Sequence, residues 1–395
     1  MTSERVRTAR LAAIVLVLLA AGAVAARSNL YYQATDFFCL YHGARSLVVG
    51  HDPYDEAWWK EVTGGLYPDP TSGGRLVPSS CPGRYGYPLW TAVVMLPIGA
   101  LPIEYAASAW MAISLGAALA GAWWAWLAVR GPARLAPLFG ILLITAQPLW
   151  LLVIYGQITG VMLGLAGLFA LLVARGRAAA GVALSGLALK PQTVALAIPA
   201  IALHALALRR WRLLAAAVGT GVAMVVVPVV FLPGWVFEWL DELVVRRARV
   251  AVFLPTAWGF AADLLGNTAV GALLVAAVAI GCWLMVRRSR VDDIGLFALT
   301  LPLSLFATPY AWSYDFLVLF VSYAFVLGRA GGASPRARMW LTVATVALAG
   351  PVQWLLYTVA FARGNETLSA LVTAATALLV AAALRVRSSR AGISA

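Results

Sequence analysis

Asp36 stands a few residues beyond the first apolar run, inside QATDFFCLYHGARSLVVGHDPYD (33–55). A carboxylate there has two physical readings. As a helix cap it contributes about 1 kcal/mol of stability. As a general base at a membrane surface it removes the proton of an attacking hydroxyl. Four other segments place polar groups in apolar surroundings: RYGYPLW (84–90), YGQITG (155–160), LKPQT (189–193) and ATPYAWSYD (307–315). A lysine or aspartate at the centre of a span costs roughly 2.5 to 3.5 kcal/mol of insertion. Lys190 and Asp315 are therefore expected to face a water-accessible cavity rather than lipid. Each candidate has a plainer role beside the chemical one. Lys190 can snorkel to the interface, and Arg84 can anchor there. Gln157 can be an interhelical hydrogen bond. Tyr310, with Trp312 and Tyr314, can be an aromatic belt. Asp315 can be the buried partner of a cation.

These residues are carried by a very apolar chain. Of 395 residues 62% are hydrophobic and 11% charged, against about 25% charged in an ordinary soluble domain. Apolar runs of roughly 18 to 25 residues recur along its length, each long enough to cross a bilayer. The reading is an all-α polytopic membrane protein. About twelve spans are expected, near 10–30, 88–129 (long or broken), 135–154, 158–174, 178–189, 192–208, 213–231, 259–286, 293–308, 312–328, 339–359 and 367–384. The net charge of +13 comes in short clusters between apolar runs, which fits topology signals facing anionic lipid better than a nucleic-acid surface. With a cytoplasmic N-terminus, nineteen of the 29 basic residues fall on inner segments and thirteen of the 16 acidic residues on outer ones. Both termini are thus expected in the cytoplasm. Ala23-Val24-Ala25 resembles a cleavage site, but a retained first span fits the alternation.

Two outer segments are large, about 31–87 and 232–258, on a single membrane domain of residues 1–395. In the first, Phe37, Leu40, Tyr41, Ala44, Leu47 and Val48 form one apolar stripe at helical spacing. His42, Arg45 and Ser46 lie on the other side. The helix is too short to span and suits the membrane interface, with Thr35 or Asp36 at its N-cap and Gly50 closing it. In the second, Glu238, Asp241 and Glu242 beside Arg246, Arg247 and Arg249 read as a solvated amphipathic helix. Cys39 and Cys81 share the first outer segment, where they pair as a disulfide or stand as two thiols. No Walker loop, Rossmann fingerprint, HExxH or zinc spacing is present, so no cofactor and no metal are expected.

TDFFCLYHGARSLVVGHDPYD, YGYPLW, YGQITGVMLGLAGLFALL, LALKPQTVAL and TPYAWSYDFLVL occur in the order seen in glycosyltransferase family 87, which the chain resembles from about residue 30 to 325. The resemblance implies the C-type glycosyltransferase membrane fold. It implies a polyprenyl-phosphate sugar donor, with mannose first, and a glycolipid or glycan acceptor. It puts the base on Asp36, the family's Lys-Pro turn on Lys190 and Pro191, and its Gly-Gln turn on Gly156 and Gln157. The chain departs at Tyr87-Pro88-Leu89, where Tyr-Pro-Pro is frequent, and at Trp312 to Asp315, where some members have a histidine.

On this reading Lys190 and Arg84, with Tyr310 second, hold the donor phosphate. Gln157, Asp315, Tyr41 and His42 complete the substrate-binding set. Transfer is inverting, metal-independent and extracytoplasmic, in a bacterial plasma membrane. Another sugar, such as arabinose or glucose, is the nearest alternative. A transporter or flippase is the rival class, against which no pairing of halves with matching broken helices is seen.

Overall fold

The computed structural model describes residues 35–68, 75–79, 81, 83–250, 253–286 and 291–386. The expected first span at 10–30 lies outside them, as do Arg5, Arg7, Arg10, Arg387, Arg390 and the arginines at 287–290. The described chain is helical apart from one antiparallel ribbon, Leu66–Pro68 with Leu76–Pro78, which qualifies the all-α expectation. By length and composition five described helices can cross a bilayer: Ile103–Ala128, Trp211–Val229, Ser313–Gly331, Pro335–Arg363 and Thr367–Arg385. A pair bent by 42°, Ala133–Thr145 and Gln147–Tyr155, adds a sixth if it is one span. Thr159–Ala174, Ala180–Leu189, Ala197–Ala207, Val270–Met285 and Asp293–Ala307 are apolar but shorter. The expected 259–286 span is instead two helices, Ala257–Leu265 and Val270–Val286. Gly266 turns the chain between them with φ +65°.

Two compact units interleave along the sequence. Unit 1 comprises Met1–Leu119, Leu151–Met162 and Val222–Arg246; unit 2 comprises Ala120–Trp150, Leu163–Gly221 and Arg247–Ala395.

In unit 1 the opening helix runs Asp36–Val48, with Thr35 at the N-cap and Asp36 in the first helical turn. It packs on the short helices Leu89–Val94 and Leu96–Gly99. The expected stripe needs correction, because the helix is covered on most of its circumference. Phe38, Cys39 and Ser46 are buried while Val48 is exposed. The Ser46 hydroxyl donates to the His42 carbonyl at 2.7 Å and accepts from Trp58 Nε1 at 2.8 Å, so its burial leaves no lost hydrogen bond. Gly43 is forced by sterics: a Cβ there would lie 2.2 Å from the buried Tyr85 ring. Cys39 and Cys81 form a disulfide, and Trp59 Nε1 donates to the Cys81 carbonyl at 3.0 Å. Asp55 caps the helix Glu56–Thr63 by accepting from Ala57 and Trp58 amides.

Residues Trp235–Val250 form a helix, and among its described side chains Asp241 is exposed as a solvated face requires, but others depart from that pattern. Phe237, Leu240 and Val244 point outward, 47 to 79% exposed, while Glu242 is buried at 6%. Burial first, and the neighbouring Asp52 next, push the Glu238 carboxyl up to about 7.

Unit 2 centres on Asp293–Ala307 and Ala370–Arg385, with Val270–Val286, Phe320–Gly331 and Pro335–Ala349 packed around them. Their core is aliphatic and alanine-rich, and hydrogen bonds from polar side chains tie its helices together. Ser322 donates to the Ala298 carbonyl at 2.7 Å, and Gln353 donates to the Tyr323 hydroxyl at 3.2 Å.

Candidate functional site

The Gly-Gln turn of unit 1 is held by two side chains of the long helix Ile103–Ala128. Trp110 Nε1 donates to the Gly156 carbonyl at 2.7 Å and the Ser114 hydroxyl to the Gln157 carbonyl at 2.8 Å. Residues four apart share a helix face, so one face grips consecutive carbonyls. Gly156 has φ +62°, and a Cβ on it would come within 2.5 Å of Phe37 Cβ. Both facts require glycine, and together they let the turn touch the start of the opening helix. There Gln157 Nε2 donates to Asp36 Oδ2. Gln157 is fully buried and Asp36 is half-buried. An amide on one carboxylate oxygen fixes the direction in which the group points.

Other expected residues of unit 1 have more structural partners. Tyr41 is buried and its hydroxyl donates to the Leu101 carbonyl at 2.9 Å; burial raises its pKa. His42 meets the Phe38 and Tyr41 rings edge-on at 4.3 and 5.2 Å. Burial, helped by the Arg45 charge, lowers its pKa to about 4, so the imidazole is neutral near pH 7. Arg84 stands 3.4 Å from Asp241 and 3.9 Å from Glu56, and exposed pairs of this kind contribute about 0 to 1 kcal/mol.

In unit 2 the Lys-Pro turn breaks the chain between two short 3-10 segments, Leu187–Leu189 and Pro191–Val194. Lys190 Nζ lies 2.6 Å from Asp315 Oδ1, with the two side chains 1% and 0% exposed. This corrects the expectation that each faces a wet cavity: they face one another, because a buried charge is tolerated when an opposite one neutralises it. The ammonium also sits 4.6 Å from the centre of the Tyr314 ring, a cation–π distance. Asp315 Oδ2 accepts from the Trp312 amide at 3.1 Å. Tyr310 is half-buried, and its backbone bonds to the Thr308 hydroxyl.

Two residues that the sequence reading did not single out support this cluster. Glu366 Oε2 accepts from the Ser313 amide at 2.8 Å, and Gln147 Nε2 donates to the buried Ser313 hydroxyl at 3.0 Å. Burial, and secondarily the Asp315 charge, push Glu366 up to about 7 against the opposing pull of the Ser313 hydrogen bond. The signal for Trp110 and Ser114 was their four-residue spacing on an apolar helix. Glu366 gave no local signal beyond being an acid in a turn between two apolar helices. Among the described residues no group of three or more His, Cys, Asp or Glu side chains could hold a metal ion.

A family model described as Glycosyltransferase family 87 matches residues 85–311, more than half of the chain. The matched region contains Gln157, Lys190 and Tyr310, while Asp36 and Asp315 lie outside it. Neither a curated protein nor a solved structure matches the chain.

Proposed function

The chain belongs to glycosyltransferase family 87, and from that premise we propose that it moves a hexose, mannose in first place, from a polyprenyl-phosphate donor to a hydroxyl of a lipid-linked or glycan acceptor. A membrane glycosyltransferase follows from the family and the apolar helices. The sugar, donor, acceptor and side of the membrane belong to the proposal. So do the twelve spans, the C-type fold, the single domain of residues 1–395, the outer loops 31–87 and 232–258 and a bacterial plasma membrane with both termini in the cytoplasm.

The observation that carries the reading is the Asp36 carboxylate, half-buried and steered by Gln157 from a glycine turn that admits no side chain. Asp36 takes the proton of the acceptor hydroxyl as its oxygen attacks the anomeric carbon. The C–O bond to the donor phosphate breaks on the opposite face, and configuration inverts. The departing polyprenyl phosphate is a stable anion, so the step requires neither a strong acid nor a metal. Lys190 is assigned to the donor phosphate, with Arg84 and Tyr310 beside it in that role. Its pairing with Asp315 means that a phosphate would have to compete with a carboxylate already in place. Gln157, Tyr41, His42 and Asp315 remain substrate-side candidates.

The test is purified full-length protein with radiolabelled polyprenyl-phosphate sugars and a membrane lipid extract. Sugar transfer to lipid by the wild type, abolished in Asp36→Asn, supports the reading. Vectorial movement of the donor with no covalent product would replace it with a flippase. Transfer from an arabinose or glucose donor in preference to mannose would keep the chemistry and change the sugar.

A further inference from the structure

Two arginine-bearing turns meet around a cavity of about 790 Å³ in unit 2. One turn contributes Gly176 and Arg177; the other contributes Arg209, Arg210, Trp211 and Arg212. The Arg210 guanidinium is engaged by Asp293, which His204 also meets at 3.4 Å. No carboxylate among the described residues pairs with Arg177, Arg209 or Arg212, and all three are exposed. Trp211 is 61% exposed beside them.

The sequence accounts for these arginines as topology signals, but topology requires only charge on a loop. It does not require two turns to converge on a cavity. Nor does it require an arginine at 209, where φ is +54°. Glycine adopts that conformation without the steric cost that any Cβ meets, so an arginine there is held against a local preference. Guanidinium groups present planar forks that match phosphate oxygens. The helix Trp211–Val229 starts at this wall, and the positive end of its dipole adds to the attraction for an anion. An indole at the rim suits the boundary between headgroup and acyl chain.

The cavity is separate from the Lys190–Asp315 pair. Ala197–Ala207 begins after the Lys-Pro turn and ends two residues before Arg209, while Asp293–Ala307 begins at the partner of Arg210 and leads to the turn before Asp315. These helices pack on each other. At 1.5 Å per residue they are about 16 and 22 Å long, so the two charged centres occupy opposite ends. Positive-inside topology puts the arginine end in the cytoplasm, where basic pockets between helices hold anionic lipid headgroups.

We propose that this cavity is a phosphate-binding site, held by Arg177, Arg209 and Arg212 with Trp211 at its rim, and that it takes the headgroup of an anionic phospholipid. None of the roles assigned to sugar transfer enters this inference.

Native mass spectrometry of the full chain in non-ionic detergent tests it, with phosphatidylglycerol, phosphatidylcholine and inorganic phosphate as separate probes. The wild type should retain phosphatidylglycerol at least tenfold better than phosphatidylcholine, with the preference falling as salt rises. The triple variant Arg177→Gln, Arg209→Gly, Arg212→Gln should lose it; glycine at 209 suits the backbone there. Arg336→Gln, exposed and outside the cavity, should keep it. Displacement of the lipid by submillimolar inorganic phosphate would assign the site to soluble phosphorylated ligands, and resistance to it would assign the lipid. Equal retention of the two lipids, undiminished binding by the triple variant, or equal loss in Arg336→Gln would overturn the proposal. If the triple variant aggregates, Arg177→Gln and Arg212→Gln singly should each weaken retention about threefold, and no change in either is the overturning result.

Discussion

Asp36 and Asp315 are both carboxylates set among apolar helices, and units 1 and 2 treat them in opposite ways. Asp36 is half-buried and receives a neutral amide from Gln157. Asp315 is fully buried and faces the Lys190 ammonium at 2.6 Å. An amide orients a carboxylate through one of its oxygens. An ammonium cancels the carboxylate's charge, and the pair then resists separation because either ion alone in the interior is costly. The contrast is between a carboxylate met by an amide from a glycine turn and one locked in a buried ion pair. It also changes the meaning of Lys190, whose charge has a structural use before any ligand arrives.

The largest expected effect breaks this contrast most directly. Asp36→Asn should lower turnover by about 10² to 10⁴-fold, or roughly 2.7 to 5.5 kcal/mol of barrier, with the unfolding midpoint in detergent almost unchanged. Near-normal turnover in that variant would transfer the base role away from Asp36. Next, Lys190→Met or Asp315→Asn alone should cost about 3 to 5 kcal/mol of stability, since each strands a buried charge. The double variant should recover more than half of that loss in thermal or denaturant unfolding. Additive losses would mean that the two charges do not sense each other.

An effect of similar size sharpens the comparison by touching one unit only. Cys39 and Cys81 are 42 residues apart in sequence, and removing the bridge with Cys39→Ser and Cys81→Ser should cost about 4 kcal/mol by loop entropy. Hydrogen exchange should rise over residues 36–94 and stay unchanged over 293–331. Gln157→Leu, which removes the amide and keeps the bulk, should reduce kcat about tenfold, or about 1.4 kcal/mol. A loss confined to KM would make Gln157 a binding group instead.

The last effect is a pH slope. Glu366 is pushed up to about 7 in the folded chain from an ordinary value of 4.5. Between those values the folded chain binds more protons than the unfolded one, so stability falls as pH rises and levels off above about 7. Glu366→Gln should flatten the unfolding midpoint over that window. An unchanged slope would assign it to other carboxyls, with Glu238, also raised to about 7, the first to test.

Much of the helix layout was legible because apolar length and turn chemistry are local properties. The break at Lys190-Pro191, the opening helix from Asp36 and the broken character of residues 88–129 all follow from runs, prolines and glycines. Facing was less legible. Val48 continues the helical stripe of the opening helix yet is exposed, and Ser46 breaks it yet is buried. Which side of a helix is covered depends on what packs there, and a helix wrapped by the Cys81 segment and two short helices has little polar face left. The helix Trp235–Val250 shows the same limit more strongly, since its pattern of acids and apolar residues is amphipathic in either orientation.

Asp36, Gln157, Lys190 and Asp315 could be picked out singly because a charge or amide among apolar residues is costly wherever it ends up. Their partners could not. Asp36 with Gln157 is a contact across 121 residues and Lys190 with Asp315 across 125. The grip of Trp110 and Ser114 on the Gly-Gln turn, and of Glu366 on Ser313, likewise joins distant segments. Composition, periodicity and glycine placement act through near neighbours along the chain, so the sequence by itself determined a many-helix membrane protein and its polar turns. Which polar group meets which is decided by how helices stack, and only the tertiary structure could make one aspartate the partner of an amide and the other the partner of a lysine.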